Sequence, residues 1–117
     1  MTFKKTSKTV LGRIGECRAM EFLNQRGYSI ICQNYRFRHL EIDIVAQINN
    51  VLVFVEVKAR KNNQFGYPES FVSNTKAQNV IAAATNYIEE TNWSGNIRFD
   101  IIAVTGKDIQ HFEDAFY

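Results

Sequence analysis

The sequence predicts an α/β sandwich, and three observations carry that expectation. Two stretches with apolar residues at helical spacing, near residues 9–26 and 73–90, bracket a block of β-rich runs. Two of those runs are separated only by Asn49-Asn50, which signals a tight antiparallel hairpin. An alternating run follows the second helical stretch, so the predicted order is α-β-β-β-α-β, with a further short strand at the end.

The first helix is expected over about residues 9–26, capped by Ser7 or Thr9 and stopped at Gly27. Its apolar residues Val10, Leu11, Ile14, Cys17, Met20, Phe22 and Leu23 spread widely around the axis, which predicts a helix largely packed against a sheet. Residues 28–34 read as a strand, and the basic segment Tyr35-Arg36-Phe37-Arg38-His39 as its lead into the hairpin. The hairpin strands cover residues 40–48 and 51–58. A two-residue turn sets their register: Ile48 faces Val51, Ala46 faces Val53, Ile44 faces Val55 and Ile42 faces Val57, making an apolar face that must be buried. Residues 59–68 form a stretch rich in turn formers and read as a loop shaped by Gly66 and Pro68. The second helix is marked by Val80, Ile81, Ala84, Tyr87 and Ile88. Residues 92–96 form a turn, 98–104 a strand in which Asp100 reads as a structural anchor, and 109–117 a short closing segment.

A chain of 117 residues is expected to form one domain over 1–117, large enough to bury a core without staples. Its composition, 45% hydrophobic and 22% charged, is that of an ordinary globule, and a net charge of +2 is too small to indicate a nucleic-acid partner by itself. Cys17 and Cys32 have no metal-ligand spacing and read as reduced, buried thiols, which fits the cytoplasm. Residues 1–8 carry lysines with no apolar stretch behind them, and no run approaches the roughly 20 residues of a membrane span. Neither export nor a membrane partner is expected.

The charged residues of the hairpin are the feature that points to chemistry. The predicted register sets Asp43 opposite Glu56 and Glu41 opposite Lys58, at the end of an otherwise apolar ribbon. Two carboxylates at roughly 5 Å repel by about 3 kcal/mol at an effective dielectric of about 20. A hard divalent cation such as magnesium offsets this, binding through one or two carboxylates and keeping waters for a phosphate. The plainer reading is a solvated sheet end with Lys58 bridging Glu41, and such bridges contribute little. The apolar run around Glu56 and Lys58 favours the metal site. Phosphodiester hydrolysis calls for a Lewis acid, an activated water and a cation near the developing charge, which two carboxylates and a lysine provide. Lys58 then reads as an electrostatic stabiliser rather than a general base.

An acidic residue on one strand followed by Glu-x-Lys on the next, here Asp43 and then Glu56-Val57-Lys58, resembles the PD-(D/E)XK nuclease superfamily. The chain is also similar, nearly end to end, to the small bacterial YraN family. The resemblance lies in Gly12-Arg13-Ile14-Gly15-Glu16, Asn34-Tyr35-Arg36, Glu41-Ile42-Asp43, Val53-Phe54-Val55-Glu56-Val57-Lys58-Ala59-Arg60, Phe65-Gly66-Tyr67-Pro68 with Lys76, Arg98-Phe99-Asp100 and Ala115-Phe116. That family resembles archaeal Holliday junction resolvases. The resemblance implies a restriction-endonuclease-like three-layer sandwich with a mixed central sheet. It also implies Asp43 and Glu56 as metal ligands, Glu16 as an auxiliary ligand and Lys58 as the third catalytic residue. One position departs from the pattern, with Leu40 where the family usually has glycine.

Around the same end of the ribbon gather Arg36, Arg38, Arg60 and Lys61, interleaved with Tyr35 and Phe37, while Lys76 opens the second helix where backbone N–H groups favour anions. Such a cluster is ordinarily a solubility device, but adjacency to the carboxylates makes it a nucleic-acid contact patch. His39 falls near this face and is left out of the site, since a lone histidine is more often a surface residue than a ligand. The expectation is a magnesium-dependent endonuclease, with manganese as a substitute, acting on branched or structured DNA. A homodimer is required if a symmetric four-way junction is cut. The alternative is a nuclease-fold module that binds nucleic acid without cutting it.

Overall fold

The computed structural model describes residues 9–61 and 74–115. The elements, in order, are α1 (Val10–Gln25), β1 (Ser29–Phe37), β2 (Leu40–Ile48), β3 (Val51–Arg60), α2 (Asn74–Thr91), β4 (Asn96–Thr105) and β5 (Asp108–Phe112). Thr9 caps α1 by accepting the Gly12 amide through its hydroxyl, and Gly27 leaves the helix at φ +90°, a conformation open to a residue without Cβ. The five strands lie in sequence order in one mixed sheet, antiparallel except for the parallel β3–β4 pair that α2 connects.

Strand alternation sends two sets of apolar side chains to opposite faces. On one face α1 sets Ala19 and Leu23 against Ile44, Ala46, Val53, Val55, Ile102 and Val104. On the other, α2 sets Val80, Ala83 and Ala84 against Val45, Leu52, Phe54 and Ile101. The result is the three-layer α/β sandwich expected from the sequence. At Gly15 α1 touches the sheet, because an added Cβ would stand 2.8 Å from the Ala59 Cβ. Among the described residues no helix is long and apolar enough to cross a membrane.

Several local expectations are corrected. Strand β1 runs on to Phe37, because Tyr35 and Phe37 pack on the α2-side core, so the basic segment is mostly strand and only Arg38-His39 turns the chain. Strand β3 keeps Ala59 and Arg60, paired with Val104 and Thr105, so the expected loop begins later, and its remainder, with Gly66 and Pro68, lies outside the described residues. The outer side of α1 leaves Val10 and Ile14 exposed, because the sheet reaches only one side of the helix. Cys17 is exposed as well, and Cys32 is half-buried.

Candidate metal and phosphate site

The β2–β3 ladder keeps the predicted register from Ile48↔Val51 to Ile44↔Val55 and ends there. Asp43 is therefore not paired with Glu56 across the ribbon, nor Ile42 with Val57, nor Glu41 with Lys58. The cause lies one strand over. Gln33 pairs with Ile44 on the α1 side, whereas Tyr35 pairs with Ile42, and both of these pack on the α2 side. The chain reverses face within two residues, across Asn34 and Asp43, and Asn34 takes a left-handed φ of 53°. With the strands parting, the Asp43 carboxylate takes the place of a backbone partner and accepts the Val57 amide at 2.8 Å.

Glu56 and Lys58 follow Leu52 and Phe54 on the α2 face of β3. Glu56 is 5% exposed, as is Asp43. Its Oε2 lies 3.2 Å from the Lys76 Nζ and 3.5 Å from the Lys58 Nζ. Its Oε1 is buried with no hydrogen-bond partner among the described residues. Burial, and next the Asp43 charge, push the Glu56 carboxyl up to about 7, against the opposing pull of Lys76 and Lys58. Asp43, Glu56, Lys58 and Lys76 thus come together in one place. A buried carboxylate oxygen left over beside a second carboxylate fits a hard divalent cation that takes one or two protein oxygens and keeps water.

The remaining predicted residues lie around this centre. Glu16, buried in α1, accepts the Asn34 side-chain amide at 3.2 Å. Among the described residues no three of His, Cys, Asp and Glu gather closely enough to hold a metal, so the carboxylates offered together are the pair. Arg36 pairs across β1–β2 with Glu41 at 3.8 Å, and the exposed Arg38 guanidinium lies over the Phe37 ring. Arg60 continues the Glu56-Lys58 face with its Nη1 donating to the Ala59 carbonyl, and Lys61 is exposed just beyond it. His39 is exposed in the turn, and Leu40 packs against the α2-side core.

Sequence reasoning missed Asn34, whose left-handed backbone and bond to Glu16 could be sought in the motif Asn34-Tyr35-Arg36. It also missed the partners of Asp100. This fully buried carboxylate accepts Arg98 on both oxygens at 2.9 and 2.8 Å, the Asp114 amide at 2.9 Å, and lies 2.7 Å from the His111 Nε2. Desolvation would raise its pKa, but the bonds from His111, Arg98 and Asp114 outweigh it and hold the carboxyl below the ordinary value.

A sheet with one helix on each face and a buried carboxylate pair flanked by lysines defines the architectural class. The pattern of the family described as "Uncharacterised protein family UPF0102" matches residues 15–104, from Gly15 through the carboxylates to Val104 in β4. Among its relatives, a UPF0102 protein of Flavobacterium psychrophilum is 47% identical over 92% of this chain and 93% of its own length. One of Cytophaga hutchinsonii is 46% identical over 84% and 87%, and one of Sulfurihydrogenibium 41% over 93% and 96%. The chain belongs to the UPF0102 family, which is the YraN family of the sequence resemblance.

Proposed function

We propose that this protein is a metal-dependent endonuclease of branched or structured DNA, working in the cytoplasm. The observation that carries the reading is Glu56: a buried carboxylate beside Asp43, with one oxygen unpartnered among the described residues and the other facing two lysines. Asp43 and Glu56 would hold magnesium or manganese, which when bound supplies a Lewis acid and a water of lowered pKa. The Val57 amide fixes one Asp43 oxygen and so orients the carboxylate. Lys58, restrained by its sheet position and by Glu56, offers a preorganised positive charge where a phosphate oxygen gains negative charge. Lys76, on the first turn of α2, adds a second cation for the same phosphate. Arg36, Arg38, Arg60 and Lys61 extend the positive charge along the backbone of the nucleic acid. Action on a symmetric four-way junction requires two such sites, hence a homodimer.

The test is a titration of magnesium and manganese with purified protein on linear, flapped and four-way DNA, with binding and cleavage scored separately. Metal-dependent cleavage of a branched substrate is the expected result. Binding without cleavage of any substrate, with or without cell extract, would leave a nuclease-fold binding module. The observation favouring that second reading is that Glu56 is drawn to about 7, which leaves it partly protonated near neutrality.

A further inference from the structure

On the α2 face, three strands run in register past Glu56. Lys58 pairs with Ala103 and Ala103 with Gln110, while Arg60 pairs with Thr105 and Thr105 with Asp108. Residues paired in this way point to the same side, so all six share one surface. Helix α2 packs chiefly over β2 and β1. Over the β4–β5 end of the same face lies a groove of about 250 Å³, lined by Ala103, Thr105, Asp108, Ile109 and Gln110.

The lining says what the groove can hold. Its floor is the small side chain of Ala103, and among the described residues that line it none is cationic, while the Asp108 carboxylate repels a phosphate. The Gln110 amide and Thr105 hydroxyl both donate and accept, and Asp108 accepts. That donor and acceptor set suits a flat heterocycle with an amino group: glutamine side chains pair with adenine edges, and aspartate accepts from the cytosine amine. Neighbouring strands are about 4.8 Å apart, so Gln110, two strands from Lys58, lies roughly 10 Å away from it. A phosphate held by Lys58 would bring its attached nucleoside over Ala103.

We propose that this groove binds an unpaired nucleobase next to the phosphate site. The inference rests on the nuclease reading and narrows its substrate class to nucleic acid with an unpaired nucleotide beside the phosphodiester. A base paired and stacked in a duplex cannot lie in the groove over Ala103 without being taken out of the stack.

The experiment is equilibrium binding of the full chain, in EDTA, to a labelled single strand, a flapped duplex and a blunt duplex. The wild type is expected to prefer the first two over the blunt duplex by at least about tenfold, the scale of a good bidentate base contact. Gln110→Ala, and separately the groove-filling Ala103→Leu, are expected to bring that preference to within about threefold with blunt-duplex affinity unchanged. Should Ala103→Leu not fold, Gln110→Ala on its exposed edge strand still decides. Equal binding of all three by the wild type, or a preference that survives Gln110→Ala, overturns the groove alone. Failure to bind any of them in EDTA overturns the groove, while the nuclease reading is decided separately by the magnesium and manganese titration.

Discussion

Two buried carboxylates sit one residue apart on neighbouring strands, and the protein treats them in opposite ways. Asp100 pairs with Val55 and faces α1, whereas Glu56 pairs with Ile101 and faces α2. Around Asp100 the chain supplies a guanidinium fork, a histidine and a backbone amide, and the carboxyl is held below its ordinary value. Around Glu56 it supplies two lysines on one oxygen and a second carboxylate nearby, and the carboxyl rises to about 7. Burial is therefore a poor sign of function by itself. What separates the structural acid from the proposed ligand is whether the fold completes its hydrogen bonds.

The comparison breaks most visibly in stability. Asp100→Ala leaves Arg98 without its buried partner and is expected to cost about 3–5 kcal/mol by urea denaturation. Glu56→Gln is expected to cost nothing at pH 8, because it removes a buried charge. Equal losses at the two positions would erase the distinction.

Activity sharpens it next. Lys58→Met is expected to reduce metal-dependent cleavage by about 100-fold or more while leaving the fold and metal affinity nearly intact. If cleavage is unchanged, the lysine is only a counter-ion for Glu56.

Metal affinity and pH follow. Glu56→Gln is expected to weaken magnesium binding at least about tenfold by calorimetry, about 1.4 kcal/mol. In the fold Glu56 loses its proton near 7 instead of near 4.5, so between these values the folded chain binds more protons than the unfolded one. Its contribution is fully present below about 4.5 and lost as pH rises through about 7. Asp100 works in the other direction, stabilising above its ordinary value of 3.8 and losing that contribution as pH falls through its lowered folded value. Subtracting the Glu56→Gln stability profile from that of the wild type is expected to leave a slope falling from pH 4.5 to 7, and a flat difference would remove the raised acid.

The smallest effect concerns the rim. Replacing Arg60 and Lys61 with alanine is expected to weaken nucleic-acid binding alike for all sequences and to lower the salt slope by about 2. A change confined to one sequence would mean that these side chains read bases.

Element order and the Asp43, Glu56 and Lys58 cluster were legible because hydrophobic period and a two-residue turn are local signals. The parting of β2 from β3 was not. It depends on a face reversal at Asn34 and Asp43, and a run such as Glu41-Ile42-Asp43-Ile44 alternates as a regular strand does whether or not its backbone bulges. Arg36 and Arg38 hid the end of β1, since charge reads as loop while Tyr35 and Phe37 on the other side anchor a strand. The role of Asp100 was legible, but its partners His111 and the Asp114 amide were not, because they arrive from β5 and the chain beyond it.

The parallel β3–β4 pairing sets an order of assembly. Asp43 meets the Val57 amide only 14 positions along the chain, inside one hairpin, whereas Arg98 meets Tyr28 across 70 positions. A hairpin closes in about 1–10 μs, while a parallel pair must wait for its crossover to be laid down. The Asp43–Val57 contact is thus expected to form early and the Arg98–Tyr28 contact late, so in pulse-labelled refolding the Val57 amide gains protection before the amides that pair β4 with β3. The charge-bearing part of the molecule would then be present before the long-range contacts, and the late network acts as a clasp on a hairpin already made.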